Sequence, residues 1–166
     1  MATFQVQLED IAGGSSVDTT AMSDWLTAGA RTVLNMLPPN KLKRVSSQHA
    51  FVNTADVEGR RVLTVTRNDG TIDHPCREVL PSMRGRVIDS NYMEYATNTD
   101  PVYYIDNQLL TVKPDSSGSN QRLTFVNSAI TVAHTDTAIT NFPDEAEKAV
   151  VLYLSLIHIS EPTRPY

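Results

Sequence analysis

The spacing of apolar and polar positions divides the chain into helical ends and a β-rich middle. From Thr19 to Leu37, apolar residues recur every three or four positions, which predicts a helix stopped by Pro38-Pro39. Thr19, Thr20 and Ser23 are its candidate N-caps, and Gly29 on its apolar face should permit close packing of another helix. A short second helix is predicted at 40–46.

The middle of the chain reads as strands. RVLTVTR at 61–67 alternates with period two and ends in Asn68-Asp69-Gly70, a turn sequence. PVYYI at 101–105 and QLLTVK at 108–113 flank Asp106-Asn107, which predicts a tight hairpin. RLTFV at 122–126 predicts a third strand of an antiparallel meander. Shorter strands at 51–52 and 77–80 would bring the sheet to about three to five strands, and 81–89 should form a helical turn or two.

The two ends of the chain frame this middle. MATFQVQL at 1–8 alternates weakly, which predicts a short strand or an arm over residues 1–18, before a single α+β domain at 19–153. NFPDEAEKAVVLY at 141–153 predicts the start of a long helix. Asn141 is the candidate cap, and acidic residues fill the first turn. Ala146, Ala149, Val150 and Tyr153 are expected on one face.

The segment after Tyr153 breaks this expectation, because no glycine, asparagine or basic turn ends the helix. Two prolines follow within a short span, so the helical pattern is expected to be lost after Tyr153. LSLIHISEPTR at 154–164 resembles the translation of a transposase adapter used in preparing sequencing libraries. Residues 154–166 are therefore expected to be a non-native tail, with the helix truncated and the domain incomplete at its C-terminus.

Composition narrows the classes of protein. The net charge is −5, yet 41–86 carries nine basic and five acidic residues, a local charge of +4. This segment is either an ordinary solvated surface or a face for nucleic acid or an acidic partner. No apolar run approaches the ~20 residues that span a bilayer, so no membrane contact is expected. Because Cys76 is the sole cysteine, an internal disulfide is excluded, and a reducing cytoplasm is the expected site of synthesis.

Candidate chemistry is sparse. The four histidines have no metal-ligand spacing, and no phosphate-binding glycine loop or nucleophile elbow occurs. His74-Pro75-Cys76 is the one pairing that suggests a nucleophile, but its spacing favours a half-buried structural cysteine. Tyr103 and Tyr104 are expected on opposite faces of a strand, one in the core and one on the surface. No catalytic residue, cofactor, metal or small-molecule substrate is predicted, and the chain is expected not to be an enzyme.

Three stretches together resemble virion structural proteins of tailed bacteriophages of the marine type. They are SDWLTAGARTVLNMLPP, TDPVYYIDNQLLTVKP and NFPDEAEKAVVLY, and the resemblance covers most of 23–153. The order of helix, β region and long helix also resembles head–tail connector proteins. The resemblance implies a non-enzymatic part of the virion neck or tail, made in the host cytoplasm. Its partners would be other virion proteins and its own copies in a ring.

A candidate assembly surface follows from the apolar stripes of the two helices. It consists of Trp25, Leu26, Val150 and Tyr153. Two alternatives stay open. One is a nucleic-acid-binding module that uses the basic segment 41–86 with the tyrosines, and the other is a small hydrolase built on His74 and Cys76.

Overall fold

The computed structural model describes residues 2–11, 18–118 and 120–160, with only the backbone for 157–160. The described residues form two compact units. A helical unit comes from Met1–Val45 and Ser128–Tyr166, and a sheet unit from Ser46–Asn127. The predicted α+β class is confirmed. The predicted division at 1–18, 19–153 and 154–166 follows other boundaries and stays a prediction.

The elements are numbered in chain order. The helices are α1 Phe4–Ile11, α2 Thr19–Met36, α3 Pro39–Leu42, α4 Arg84–Ile88 and α5 Asp144–Ser160. The strands are β1 Ser47–Phe51, β2 Thr54–Asp56, β3 Arg60–Asn68, β4 Asp73–Pro75, β5 Arg77–Glu78, β6 Val102–Asp106, β7 Leu109–Lys113 and β8 Gln121–Asn127. Short 3₁₀ turns follow α3 and precede α4. In the described part of the chain, no helix has the length and hydropathy needed to cross a bilayer.

The N-terminal segment contains a helix, so the predicted short strand was wrong, and the N-terminal arm at 1–18 stays a prediction. Phe4 is 1% exposed, and its N–H donates to the Asp136 carbonyl at 3.0 Å. Phe4, Leu8 and Ile11 have helical spacing, which the period-two interpretation missed. Packing of Phe4 in the helical unit therefore decides the conformation of this segment, where the local pattern is ambiguous.

Helix α2 occupies the predicted residues but begins with a different cap. The Asp18 carboxylate accepts the Thr20 N–H at 2.9 Å, so Asp18 is the N-cap rather than a threonine or serine within the helix. Its side chain reaches the second residue of the helix, as a capping carboxylate does.

Helix α5 begins at Asp144 and continues past Tyr153 to Ser160, so the expected loss of helix after Tyr153 was wrong. Leu154 is 3% exposed and extends the buried stripe of Ala146, Val150 and Val151. Ala149, predicted on this face, is exposed. The adapter-like origin of residues 154–166 stays a prediction, and residues 161–166 lie outside the described chain.

The segment at 130–134, which follows β8, is held against α2 by two α2 side chains that are four residues apart in the helix. The hydroxyl of Thr27 donates to the Val132 carbonyl at 3.3 Å and accepts the Val132 N–H at 3.0 Å. Arg31 donates from Nε to the Ile130 carbonyl at 3.1 Å. Alternate residues Ile130 and Val132 are buried, so the segment packs as a strand would, with α2 side chains replacing a partner strand.

The sheet unit contains two four-stranded sheets, ordered β1-β8-β3-β4 and β2-β7-β6-β5. The predicted hairpin is confirmed as β6–β7, but its turn residues are Asn107 and Gln108, one position later than expected, with φ of 48° and 65°. Strand β8 pairs with β1 and β3 instead of β7, so the predicted meander was wrong. The strand β5 pairs in parallel with β6.

Two apolar clusters flank β6. Side chains from both sheets build the larger one, which comprises Phe51, Ala55, Val57, Val65, Leu110, Val112 and Leu123. Tyr103 packs against this cluster, whereas Tyr104 packs against a smaller one around Val87 and Val102. The two tyrosines do lie on opposite faces, but both are half-buried, because each face of the strand is covered.

A polar network closes one end of the sheet unit. Gln121, which is 0% exposed, accepts the Asn53 N–H at 3.2 Å and donates to Ser116 Oγ at 2.8 Å. Asn53 Oδ1 accepts the Ser116 N–H at 2.7 Å. The loops beside β1 and β7 thus gain partners for backbone groups that no ladder satisfies.

Candidate assembly surface

The structure separates the four residues predicted to form an assembly surface. Leu26 and Val150 are both 0% exposed, in the core of the helical unit where α2 and α5 pack together. Trp25 is 39% exposed and Tyr153 is half-buried. The stripe expected to meet neighbouring proteins is covered by the chain itself, which leaves the flanking aromatic side chains partly available.

Gly29 allows this close packing, as the sequence predicted. A Cβ at Gly29 would lie 3.4 Å from the Leu154 side chain and 3.5 Å from Val150. Both distances are ordinary van der Waals contacts. The α2–α5 contact is therefore close at this point, without being so tight that a methyl group is forbidden.

A cleft opens on another side of the helical unit, between α1 and the start of α5. Its volume is about 710 Å³. The apolar lining consists of Ala2, Phe4, Ile11, Ala138, Val151 and Leu152. Asp10, Asp144 and Glu147 supply carboxylates at the rim, and Lys148 supplies one cation. The cleft thus offers an apolar floor inside a mostly acidic border. The acidic first turn of α5 was predicted from the sequence, but a binding cleft beside it was not.

Exposed apolar side chains continue this surface along both helices. On α5, Leu152 is 47% exposed and Leu156, one turn later, is 66% exposed. On α1, Ile11 is 42% exposed. Clusters of exposed apolar side chains with a polar border are typical of surfaces that bind other proteins. We call the cleft together with these three side chains the α1–α5 surface.

Charged contacts fix the start of α5 beside this surface. Glu145 pairs with Lys41 and with Arg44, each at 2.8 Å, and hydrogen bonding by Lys41 is the main cause that holds the pKa of Glu145 below its ordinary value. Glu147 Oε1 accepts the Ile139 N–H at 2.6 Å. Carboxylates in the first turn also complement the helix dipole. These contacts position the acidic rim of the cleft.

The geometry around His74 and Cys76, the one pairing in the sequence that suggested a nucleophile, does not favour a reactive pair. His74 Nε2 lies 2.9 Å from Asp69 Oδ2. Burial raises the pKa of the Cys76 thiol to about 12, with Arg67 opposing the shift. A thiol with so high a pKa is almost entirely protonated at neutral pH and is a poor nucleophile. Cys76 is half-buried beside the larger apolar cluster, as the structural interpretation predicted.

A serine–histidine contact that the sequence did not suggest occurs in the helical unit. Ser23 Oγ lies 3.0 Å from His134 Nδ1 and accepts the His134 N–H at 3.2 Å. The same hydroxyl contacts the Thr19 carbonyl at 3.1 Å. Ser23 precedes Thr27 by one turn and continues its series of contacts to the segment 130–134, so the pair holds this segment on α2.

The sheet unit has a second cleft, of about 420 Å³, beside Tyr103. The Tyr103 hydroxyl donates to Glu78 Oε2 at 3.1 Å, and burial, with the charge of Glu78, raises the pKa of Tyr103 to about 12. Glu58, Arg60 and Gln108 complete the polar part of the lining. This cleft is small and mixed in charge, which gives it no clear preference for one class of ligand.

The basic segment is largely engaged in contacts within the chain. Arg67 is buried and donates to Asn98 Oδ1 at 2.9 Å, and Arg77 pairs with Asp100 at 3.1 Å. The Arg86 guanidinium lies 5.5 Å from the centre of the Tyr92 ring. Over the described ranges, no three histidine, cysteine or acidic side chains are grouped so that they could hold a metal ion.

Comparison with known proteins identifies no relatives: no protein-family model matches the chain, and no curated protein matches it either.

Proposed function

We propose that this chain is a structural component of a tailed-bacteriophage virion, acting through protein–protein assembly at the neck as a head–tail connector. The resemblance of three sequence stretches supplies the identity. The observation that carries the mode of action is the α1–α5 surface, where an apolar cleft is continuous with exposed leucines on α5. A protein that assembles through such a surface buries it against a neighbouring subunit or another virion protein.

A ring of copies is the assembly that this role favours. Identical copies that contact head to tail through two different patches close into a ring when the rotation permits. The acidic rim of the cleft favours a partner segment that carries basic residues around an apolar centre. Trp25 and Tyr153 are partly exposed and supply the aromatic side chains that commonly dominate binding at such contacts.

Recovery of the gene with its flanking sequence, followed by mass photometry of its product, tests this proposal. We expect the wild-type product to form a discrete multimer. Leu152→Lys should dissociate this multimer, because the substitution places a charge in the apolar part of the cleft. Met36→Lys is the matched control, since Met36 is 72% exposed on α2, outside the cleft, and the substitution should leave the multimer intact. A product that stays monomeric, alone and with the virion proteins encoded beside it, would contradict the proposal.

Nucleic-acid binding is the alternative that one contact favours. Arg86 lies over Tyr92, and Arg84, Tyr92 and Tyr95 are all exposed. Arginines beside exposed aromatic rings can hold single strands by stacking and by phosphate contact. Binding of a single-stranded oligonucleotide that weakens steeply with salt and with Arg86→Ala, but not with Arg122→Ala at an exposed position of β8, would support this function.

A further inference from the structure

Strand β1 differs from the other strands that end a sheet. Within the described ranges, β1 pairs with β8 alone, so one side of its backbone faces no strand. It contains five residues, whereas β2 and β4 contain three and β5 contains two. A strand with one free side presents N–H and C=O groups that can pair with another strand.

The side chains of β1 lack the features that usually block such pairing. Its sequence, SQHAF, has no proline, lysine or acidic residue. The other three edges each carry at least one: Pro75 in β4, Asp56 in β2, and Arg77 with Glu78 in β5. Charges, prolines and short length are the common means by which proteins protect sheet edges. Three of the four edges are therefore protected, and β1 is not.

Both faces of β1 are also accessible. Its register with β8 places His49 opposite Leu123 and Phe51 opposite Gln121, so His49 and Phe51 share the face that bears the apolar core. Phe51 is 5% exposed, whereas Ser47, Gln48, His49 and Ala50 are all exposed. The core ends at Phe51, and the preceding four residues are free to accept a strand with side chains on either face.

We propose that β1 pairs antiparallel with β1 of a second copy of this chain, across a two-fold axis at His49, and so joins two four-stranded sheets. A second copy is the favoured occupant because β1 contains no aspartate, glutamate, lysine or arginine. Two such strands can therefore approach without placing like charges opposite each other. Centring on His49 uses all five residues and places Gln48 opposite Ala50 of the second copy.

This contact extends the proposed function, on which its biological role rests, because it supplies an isologous interface in addition to the α1–α5 surface. Five paired residues bury little apolar area, so a single contact should be weak. Many copies held together in one particle would strengthen it, because each further contact forms within the assembly.

The test uses charge at the two-fold axis. The whole chain is studied by sedimentation equilibrium over a concentration series that reaches the millimolar range, and wild type should dimerise. His49→Lys and His49→Glu should each weaken dimerisation roughly fivefold, because each places like charges opposite one another. An equimolar mixture of the two variants should regain dimerisation, and uncharged His49→Gln should behave as wild type. Recovery on mixing cannot arise from a folding defect in either variant.

Hydrogen exchange locates the contact in the same samples. Amides of β1 should exchange more slowly as concentration rises, whereas those of β4 should not change. A chain that is monomeric throughout, or dimers insensitive to charge at position 49, or variants that mixing does not rescue, would overturn the inference. These outcomes leave the proposed virion role intact, since that role is tested separately through Leu152→Lys and through presence in particles.

Discussion

The helical unit and the sheet unit differ in how their buried backbone N–H and C=O groups find hydrogen-bond partners. Among the described residues, the two buried polar side chains, Gln121 and Arg67, both belong to the sheet unit. The side chains that form the core of the helical unit are apolar, and they include Met22, Leu26 and Leu34. Because a helix satisfies its own backbone hydrogen bonds, helices can meet through apolar contact alone. Loops at the ends of sheets need partners from side chains.

The two units therefore depend on different contacts for their packing. In the helical unit, the fully buried side chains are apolar, and a Cβ at Gly29 would make ordinary contact with Val150 and Leu154. In the sheet unit, a hydrogen-bonded network of Asn53, Ser116 and Gln121 fixes which loops meet. Substitutions that change core volume should therefore matter in both units. Substitutions that remove the hydrogen bonds of a fully buried side chain should matter in the sheet unit, because the polar contacts of α2 come from side chains that are half-buried or exposed.

The largest effects are expected from removing core volume in either unit. Leu34→Ala in α2 and Leu123→Ala in β8 should each lower the free energy of unfolding by about 2–5 kcal/mol, because both leucines are fully buried. Chemical denaturation measures the loss, and hydrogen exchange should place it in the helices for the first variant and in the strands for the second. Leu80→Ala, at a position 67% exposed, is the control and should be nearly neutral.

Gln121→Leu should have the next largest effect, a loss of about 1–3 kcal/mol. The leucine keeps much of the volume but leaves the Asn53 N–H without its partner and removes the hydrogen bonds that Ser116 Oγ and Asn53 Oδ1 accept from Gln121. Gln48→Leu on exposed β1 is the control, measured at low concentration. Equal stability of wild type and Gln121→Leu in urea denaturation would show that the network does not specify the sheet unit.

Gly29→Ala should raise the stability of the helical unit by up to about 1 kcal/mol. Alanine has the higher helix propensity, and the added methyl group makes ordinary contact with Leu154. A rise in the thermal midpoint measures this gain. A marked fall instead would mean that α2 and α5 lie closer together than the distances here indicate.

Asp69→Asn should have the smallest effect and depend on pH. Hydrogen bonds from the Ile72 N–H, from His74 and from the Thr71 N–H hold the pKa of Asp69 far below its ordinary value of 3.8. The ionised carboxylate therefore stabilises the fold above pH 3.8, and this contribution is lost as pH falls towards the lowered pKa. The difference in thermal midpoint between wild type and variant should be greatest above about pH 4 and shrink in more acidic buffer. A difference independent of pH would argue against this role.

The elements that could be predicted from the sequence are those determined by residues close together in the chain. The stripe on α2, the hairpin β6–β7 and the start of α5 follow from local spacing, and the structure confirms them with shifts of about one residue. Helix α1 was missed because the five alternating residues FQVQL at 4–8 concealed the helical spacing of Phe4, Leu8 and Ile11. Asp18 was missed as a cap because three hydroxyl residues competed for the same role.

Features that depend on distant residues escaped prediction. The pairing of β8 with β1 joins residues such as Leu123 and His49, and no local signal distinguishes that partner from adjacent β7. Burial of Leu26 and Val150 could not be known before the α2–α5 contact was seen. The α1–α5 surface was likewise hidden, because it combines α1, unrecognised as a helix, with α5. Its exposed leucines are visible only once the packed face of α5 is known.

The most direct test of an assembly role is quantitative mass spectrometry of purified virions that carry this gene. The account predicts peptides of this protein, from both the helical and the sheet unit, in a fixed copy ratio to the portal protein after particles are purified by density. Peptides confined to extracts of infected cells and absent from intact particles would contradict it.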